Sequence, residues 1–166
     1  MTSPPPEFPR PFALDRLGAA PFEIEVTATA EECAALALRL GIPAVDAFSC
    51  RFRLHRGEAG RIAAEADLRA RLVRECVVSL DPFDTDVAEA FRVVFVPEGR
   101  ESADDDPESD DEIPYAGSAI DLGEAAAEQL ALTLDPYPHK PGATLPPEVQ
   151  EPLDSPFAAL SRRRDG

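Results

Sequence analysis

The sequence predicts an α+β protein: an antiparallel sheet of about four or five strands, two main helices covering one face, an acidic disordered loop and a Pro-rich tail. Three observations predict it. Apolar and polar residues alternate strictly along several segments, two other segments carry apolar residues at helical spacing between capping signals, and turn residues separate them all. A chain of 166 residues suits one core that buries roughly two-thirds of the unfolded surface.

Residues 1–21 are Pro-rich and carry a small apolar cluster, Phe12, Ala13, Leu14 and Leu17, expected to be loose, with a docked helical turn as the alternative. Phe22, Ile24 and Val26 then alternate with Glu23, Glu25 and Thr27, the pattern of a half-buried strand. Thr29 and Glu32 form a capping box, and Cys33, Leu36, Ala37 and Leu40 recur at helical spacing up to Gly41 and Pro43. A helix over 29–40 packed on a sheet follows.

Residues 45–54 and 61–73 read as strands joined by the turn-rich run 56–60, and so as a hairpin. In the second of them Ile62, Ala64, Ala66, Leu68, Ala70 and Leu72 share one face; Arg61, Glu65, Asp67, Arg69 and Arg71 share the other. One side of the sheet is therefore wet. Cys76, Val77 and Val78 continue the apolar pattern, residues 81–84 mark a turn, and 87–96 supplies another strand with Phe91, Val93 and Phe95 inward.

From 98 to 114 the chain is polar, and residues 104–112 hold seven acids and no base, which predicts a disordered loop. Asp121 caps a helix running to 134, where Asp135-Pro136 stops it. Six prolines in 135–153 predict a poorly packed linker, and 155–160 looks like one helical turn before the basic Arg162–Arg164. The organisation expected is a segment 1–21, an α+β domain 22–134 that includes the acidic loop 98–114, and a tail 135–166.

Thirty-two Asp and Glu against 16 Lys and Arg give a net charge of minus 16, so at long range the molecule repels nucleic acid and anionic membrane alike. Any contact with RNA has to be local. The N-terminus has neither a basic nor an apolar leader region, no run approaches the length of a membrane span, and the three cysteines (Cys33, Cys50, Cys76) are odd in number and widely spaced. A cytoplasmic protein with no membrane partner is expected.

Catalytic constellations are weak. A cysteine nucleophile would need His55 or His139, the only histidines, yet Cys33 lies on the apolar stripe of its helix and Cys50 and Cys76 lie within strand patterns. The acidic run lacks the ligand spacing of a calcium loop, and no phosphate-cradling Gly motif occurs. No catalytic, metal-binding or cofactor-binding residue is assigned, and a non-enzymatic role is expected.

One region inverts the overall sign. Residues 51–74 contain seven arginines and three acids. If the hairpin forms, Arg51, Arg53, Arg69 and Arg71 share its solvent face, a patch suited to phosphate or carboxylate through bidentate bonds. The plainer reading is that they solvate the sheet or pair with the acidic loop of the same molecule, since no aromatic side chain interleaves to stack bases.

Residues 73–78 (Val-Arg-Glu-Cys-Val-Val) followed by Pro82-Phe83, the strand 87–97, the acidic insert, Ile120-Asp121-Leu122, residues 128–132, the run 135–142 and the terminal 156–160 together resemble the YceD family, whose members are described as large ribosomal RNA subunit accumulation proteins. The resemblance covers roughly 20–162. It implies a non-enzymatic ribosome-biogenesis factor that helps 23S ribosomal RNA accumulate, with ribosomal RNA, a pre-ribosomal particle or a basic ribosomal protein as partner. It brings no catalytic residues. Many members carry a C-x-x-C in this region and some a later His and Cys; of that set Cys76 and His139 stand here, which speaks against a metal-dependent role. The rival expectation is a protein-only adaptor or holdase that grips a basic partner through the acidic loop.

Overall fold

The computed structural model describes residues 5–103 and 109–144. Along the chain lie β1 Pro11–Ala13, β2 Phe22–Thr27, α1 Ala30–Leu40, β3 Ala44–Arg56, β4 Ile62–Glu75, β5 Pro82–Pro97, β6 Asp111–Tyr115, β7 Ala119–Asp121 and α2 Leu122–Thr133. β2 to β6 form a five-stranded sheet in sequential order, while β1 and β7 make a separate two-stranded one. The α+β class is as expected. The sheet is mixed rather than wholly antiparallel, because β6 lies parallel to β5, Val93 to Pro97 facing Asp111 to Tyr115.

That parallel strand falls inside the segment expected to be disordered. Three contacts draw it onto the sheet: Ile113 sits beside Phe95, the Tyr115 hydroxyl donates to the Gly60 carbonyl at 2.6 Å, and the Glu112 carboxylate takes Arg61. The centre of the acidic run, 104–108, lies outside the described residues.

Each local element follows from its sequence. The capping box of α1 closes in both directions, with the Thr29 side chain accepting from Glu32 N–H and the Glu32 carboxylate accepting from Thr29 N–H. The helix ends where Gly41 turns left-handed at φ 64°, a conformation that a side chain disfavours. In β4 every even residue from Ile62 to Leu72 is buried and every odd one from Ala63 to Arg71 is exposed. The hairpin with β3 is in the register the alternation demands, Phe52 opposite Ala66 and Leu54 opposite Ala64. Over this buried face lie α1 and α2, whose Leu36, Ala126 and Leu130 join the same core as Phe48, Phe52, Leu68 and Leu72.

The expectation of a loose N-terminal segment is overturned. Phe8, Phe12 and Leu17 are buried in the core, β1 pairs with β7, and Leu14–Arg16 forms a short 3-10 turn. Arg10 explains why so polar a run is held. Its guanidinium grips both oxygens of Glu32 at 2.7 Å, its N–H donates to Asp121 Oδ1 and its carbonyl accepts from Leu122 N–H, which ties the segment to the N-termini of both helices.

Two further corrections concern the strand end and the tail. Cys76 lies in the turn after β4, not in a strand, with its N–H donating to the Asp81 carbonyl and its carbonyl accepting from Leu80 N–H. Residues 135–140 are not a loose linker either: Arg74 donates to the Asp135 carbonyl, Val77 N–H to the Pro138 carbonyl, and Lys140 pairs with Asp81 at 3.6 Å. The helical turn expected at 155–160 and the basic end 162–164 lie outside the described residues. Among the described residues no helix is long and apolar enough to cross a membrane.

Candidate binding face

The outer face of the sheet carries the four arginines singled out above, and the register says what stands beside each. Arg51 lies between Glu25 on β2 and Asp67 on β4; Arg53 lies between Glu23 and Glu65. Arg71 lies opposite Asp86 of β5, and Arg69 lies between Ser49 and Ala88. All four share one face. They do not make a uniformly positive one.

The ion pairs run Arg51 to Glu25 at 3.4 Å, Arg53 to Glu23 at 3.9 Å and Arg71 to Asp86 at 3.4 Å, and Arg92 adds a pair with Glu65 at 3.4 Å. Every one of these guanidinium side chains is more than half exposed, so each pair contributes only about 0–1 kcal/mol. Among the described residues Arg69 alone of the four has no ion-pair partner. It stands in a shallow depression with Thr27, Ser49 and Ala88. The upper half of the face forms an open trough of about 880 Å³ lined by Arg51, Arg53 and Arg92, by Glu23, Glu65 and Asp67, and by Asp110 and Asp111 at its rim. The local surplus of arginine in the hairpin is thus offset by acids that β2, β5 and β6 bring alongside. Cross-strand pairing supplied those carboxylates, and a count along one hairpin does not contain them.

The cysteines separate by environment. Cys33, Cys50 and Cys76 are all buried and unpaired. Burial pushes the Cys50 thiol up to about 12, which removes it as a nucleophile. Backbone N–H groups of Lys140, then Ser79 and Val78, pull the Cys76 thiol down to about 6, although no part of the residue reaches solvent. His139 directly precedes Lys140, so the turn after β4 and the 138–140 segment meet at this sulfur. Among the described residues no group of three or more His, Cys, Asp or Glu is placed to hold a metal ion.

Sequence reading gives Asp121 as the cap of α2 but misses its hold on the N-terminal segment, and it misses Gly123 altogether. Asp121 accepts from three backbone N–H groups, those of Arg10, Gly123 and Glu124, so it caps α2 and anchors the N-terminal segment together. Gly123 lets that segment cross the helix, since a Cβ there would come within 1.8 Å of the Phe8 carbonyl oxygen.

Comparison with curated proteins and with solved structures finds no match for this chain. A family model, described as large ribosomal RNA subunit accumulation protein YceD, matches residues 64–161. The match starts within β4, takes in β5 to β7 and α2, and covers more than half of the 166 residues. The chain belongs to the YceD family.

Proposed function

We propose that this protein is a non-enzymatic ribosome-biogenesis factor that works in the cytoplasm and supports the accumulation of large-subunit (23S) ribosomal RNA. Membership of the YceD family is the observation that carries the reading. Deleting the gene should lower the ratio of large- to small-subunit ribosomal RNA, and a plasmid copy should restore it. An unaltered ratio refutes the proposal.

How it meets the particle is a second question. Direct RNA contact through Arg51, Arg53, Arg69 and Arg71 requires phosphates to displace the neighbouring carboxylates, a cheap exchange pair by pair. The carboxylates stay on the same face, however, and continue to repel the phosphates. The balanced charge of that face, on a chain of net charge minus 16, therefore favours the adaptor reading, in which a basic ribosomal protein is the immediate partner. Replacing the four arginines by Glu discriminates: co-sedimentation with pre-ribosomal particles should persist under the adaptor reading and vanish under direct RNA contact. Deleting residues 103–110, which spares Ser102 and β6, has the opposite pattern, weakening a protein partner and sparing or strengthening RNA.

A further inference from the structure

We propose that the open edge of β5, residues 82–92, takes up an extended basic peptide segment as an additional strand of the sheet. β4 pairs with β5 from Pro82 to Phe95, whereas on its other side β6 covers only Val93 to Pro97. Among the described residues the stretch 82–92 has no strand partner on that side. Its alternate N–H and C=O groups face outward, already held in strand geometry by β4, so an incoming chain needs to order only itself.

Two rows of side chains flank this edge. On the core side stand Phe83, Thr85, Val87 and Phe91, each half-buried, with Glu89 exposed among them. On the outer side stand Asp84, Asp86, Ala88, Ala90 and Arg92, all exposed. Arg92 is engaged by Glu65, and Asp110 and Asp111 border the trough where β6 begins. The edge is therefore acidic, with apolar side chains half-covered beneath it.

Glu89 decides what can bind. It sits on the core-side row beside Leu68, which is fully buried, and a charge pointing inward from an edge strand deters indiscriminate pairing. A strand bringing an apolar or acidic residue alongside it would leave the carboxylate dehydrated and unpaired. One bringing Lys or Arg would satisfy it, while apolar side chains in the same row extend the cover over Val87 and Phe91. A second copy of this edge fails, because Asp84, Asp86 and Glu89 would meet their equals. The occupant that fits is an alternating apolar and basic segment, such as an extended tail of a basic protein. This deepens the adaptor reading and rests on it.

The test uses the full chain and a synthetic peptide of alternating Lys and Val, about ten residues long. Amide hydrogen exchange should slow at least about tenfold at alternate positions within 82–92 when the peptide is added. The exposed double variant D86K/E89K should weaken peptide affinity by at least about tenfold, and E89Q by less. Urea midpoints confirm that both variants fold, and E89Q, which keeps size and shape, serves if the double variant does not. Peptide binding that leaves 82–92 unprotected, affinity within about twofold in D86K/E89K, or the same protection elicited by a single-stranded RNA overturns the edge. An unchanged ribosomal RNA ratio in the deletion strain refutes the proposed function and leaves the peptide result standing. A lowered ratio with no peptide protection removes the edge alone.

Discussion

The two ends of β5 continue one inward-facing row yet differ in charge and in fate, with Asp84, Asp86, Glu89 and Arg92 in 82–92 and no charged residue in 93–97. Residues 93–97 lie between β4 and β6, and Val93, Phe95 and Val96 are buried. Among the described residues, 82–92 pair with β4 alone, and Phe83, Val87 and Phe91 are half-exposed although they continue the same inward row. Inward direction is a property of the pleat, but burial depends on what the topology sets beside and above it. α2 shelters the flanked end, where Phe95 and Ile113 face Asp121, Glu124 and Ala125 across one groove.

Truncation should expose the contrast most strongly. Phe95→Ala should cost about 3–5 kcal/mol in urea unfolding, because a fully enclosed ring leaves a cavity, and Phe91→Ala only about half of that. Equal losses would mean that the free edge is covered as well as the flanked one. Next in size is Gly123→Ala, which drives the Phe8 carbonyl off α2 and with it the N-terminal segment; exposing Phe8 alone costs about 2 kcal/mol. Asp121→Ala should cost about 1–2 kcal/mol by removing the acceptor of three N–H groups. Both changes loosen the shelter over 93–97, so native-state hydrogen exchange there should accelerate toward the rate at 84–92.

Most of the central sheet was legible. In β3 and β4 the alternation is strict and one face is fully buried, so local pattern and global register agree, and the wet-face position of Arg51, Arg53, Arg69 and Arg71 followed directly. The pairing of those arginines was not legible, because Glu23, Glu25 and Asp86 are remote in sequence and arrive only through strand order. β6 was hidden for a related reason. Its five residues include Asp111, Glu112 and Pro114, and the strand docks through Ile113, Tyr115 and the Glu112–Arg61 pair, contacts that no local alternation announces. The N-terminal segment was masked by its prolines, which read as disorder until Arg10 is seen bound to Glu32 and Asp121. Cys76 shows the limit of pattern reading most plainly: an apolar position in sequence, it is a sulfur surrounded by backbone N–H groups in space.

The gentlest way to erase the difference between the two ends of β5 is acid. Glu112 on β6 has its carboxyl lowered to about 2, first by the Ser102 N–H, then by the Arg61 guanidinium and the Ser102 hydroxyl. A carboxyl whose folded value is depressed stabilises the fold fully above its unfolded value near 4.5, and that contribution declines as pH falls through the window toward about 2. Glu32, lowered to about 2 chiefly by Arg10, loses its contribution over the same window and frees the N-terminal segment. Between about pH 4.5 and 2, exchange at 93–97 should therefore rise toward that of 84–92 as β6 loosens, with its chemistry-corrected rate falling again on return to neutrality. Glu112→Gln should leave 93–97 already faster at neutral pH and flatten the acid response there, while Glu32→Gln flattens the response of the N-terminal segment and leaves β6 titrating as before. If neither substitution alters the acid profile of its own region, the carboxylates are bystanders and the flanked end owes its protection to apolar packing alone.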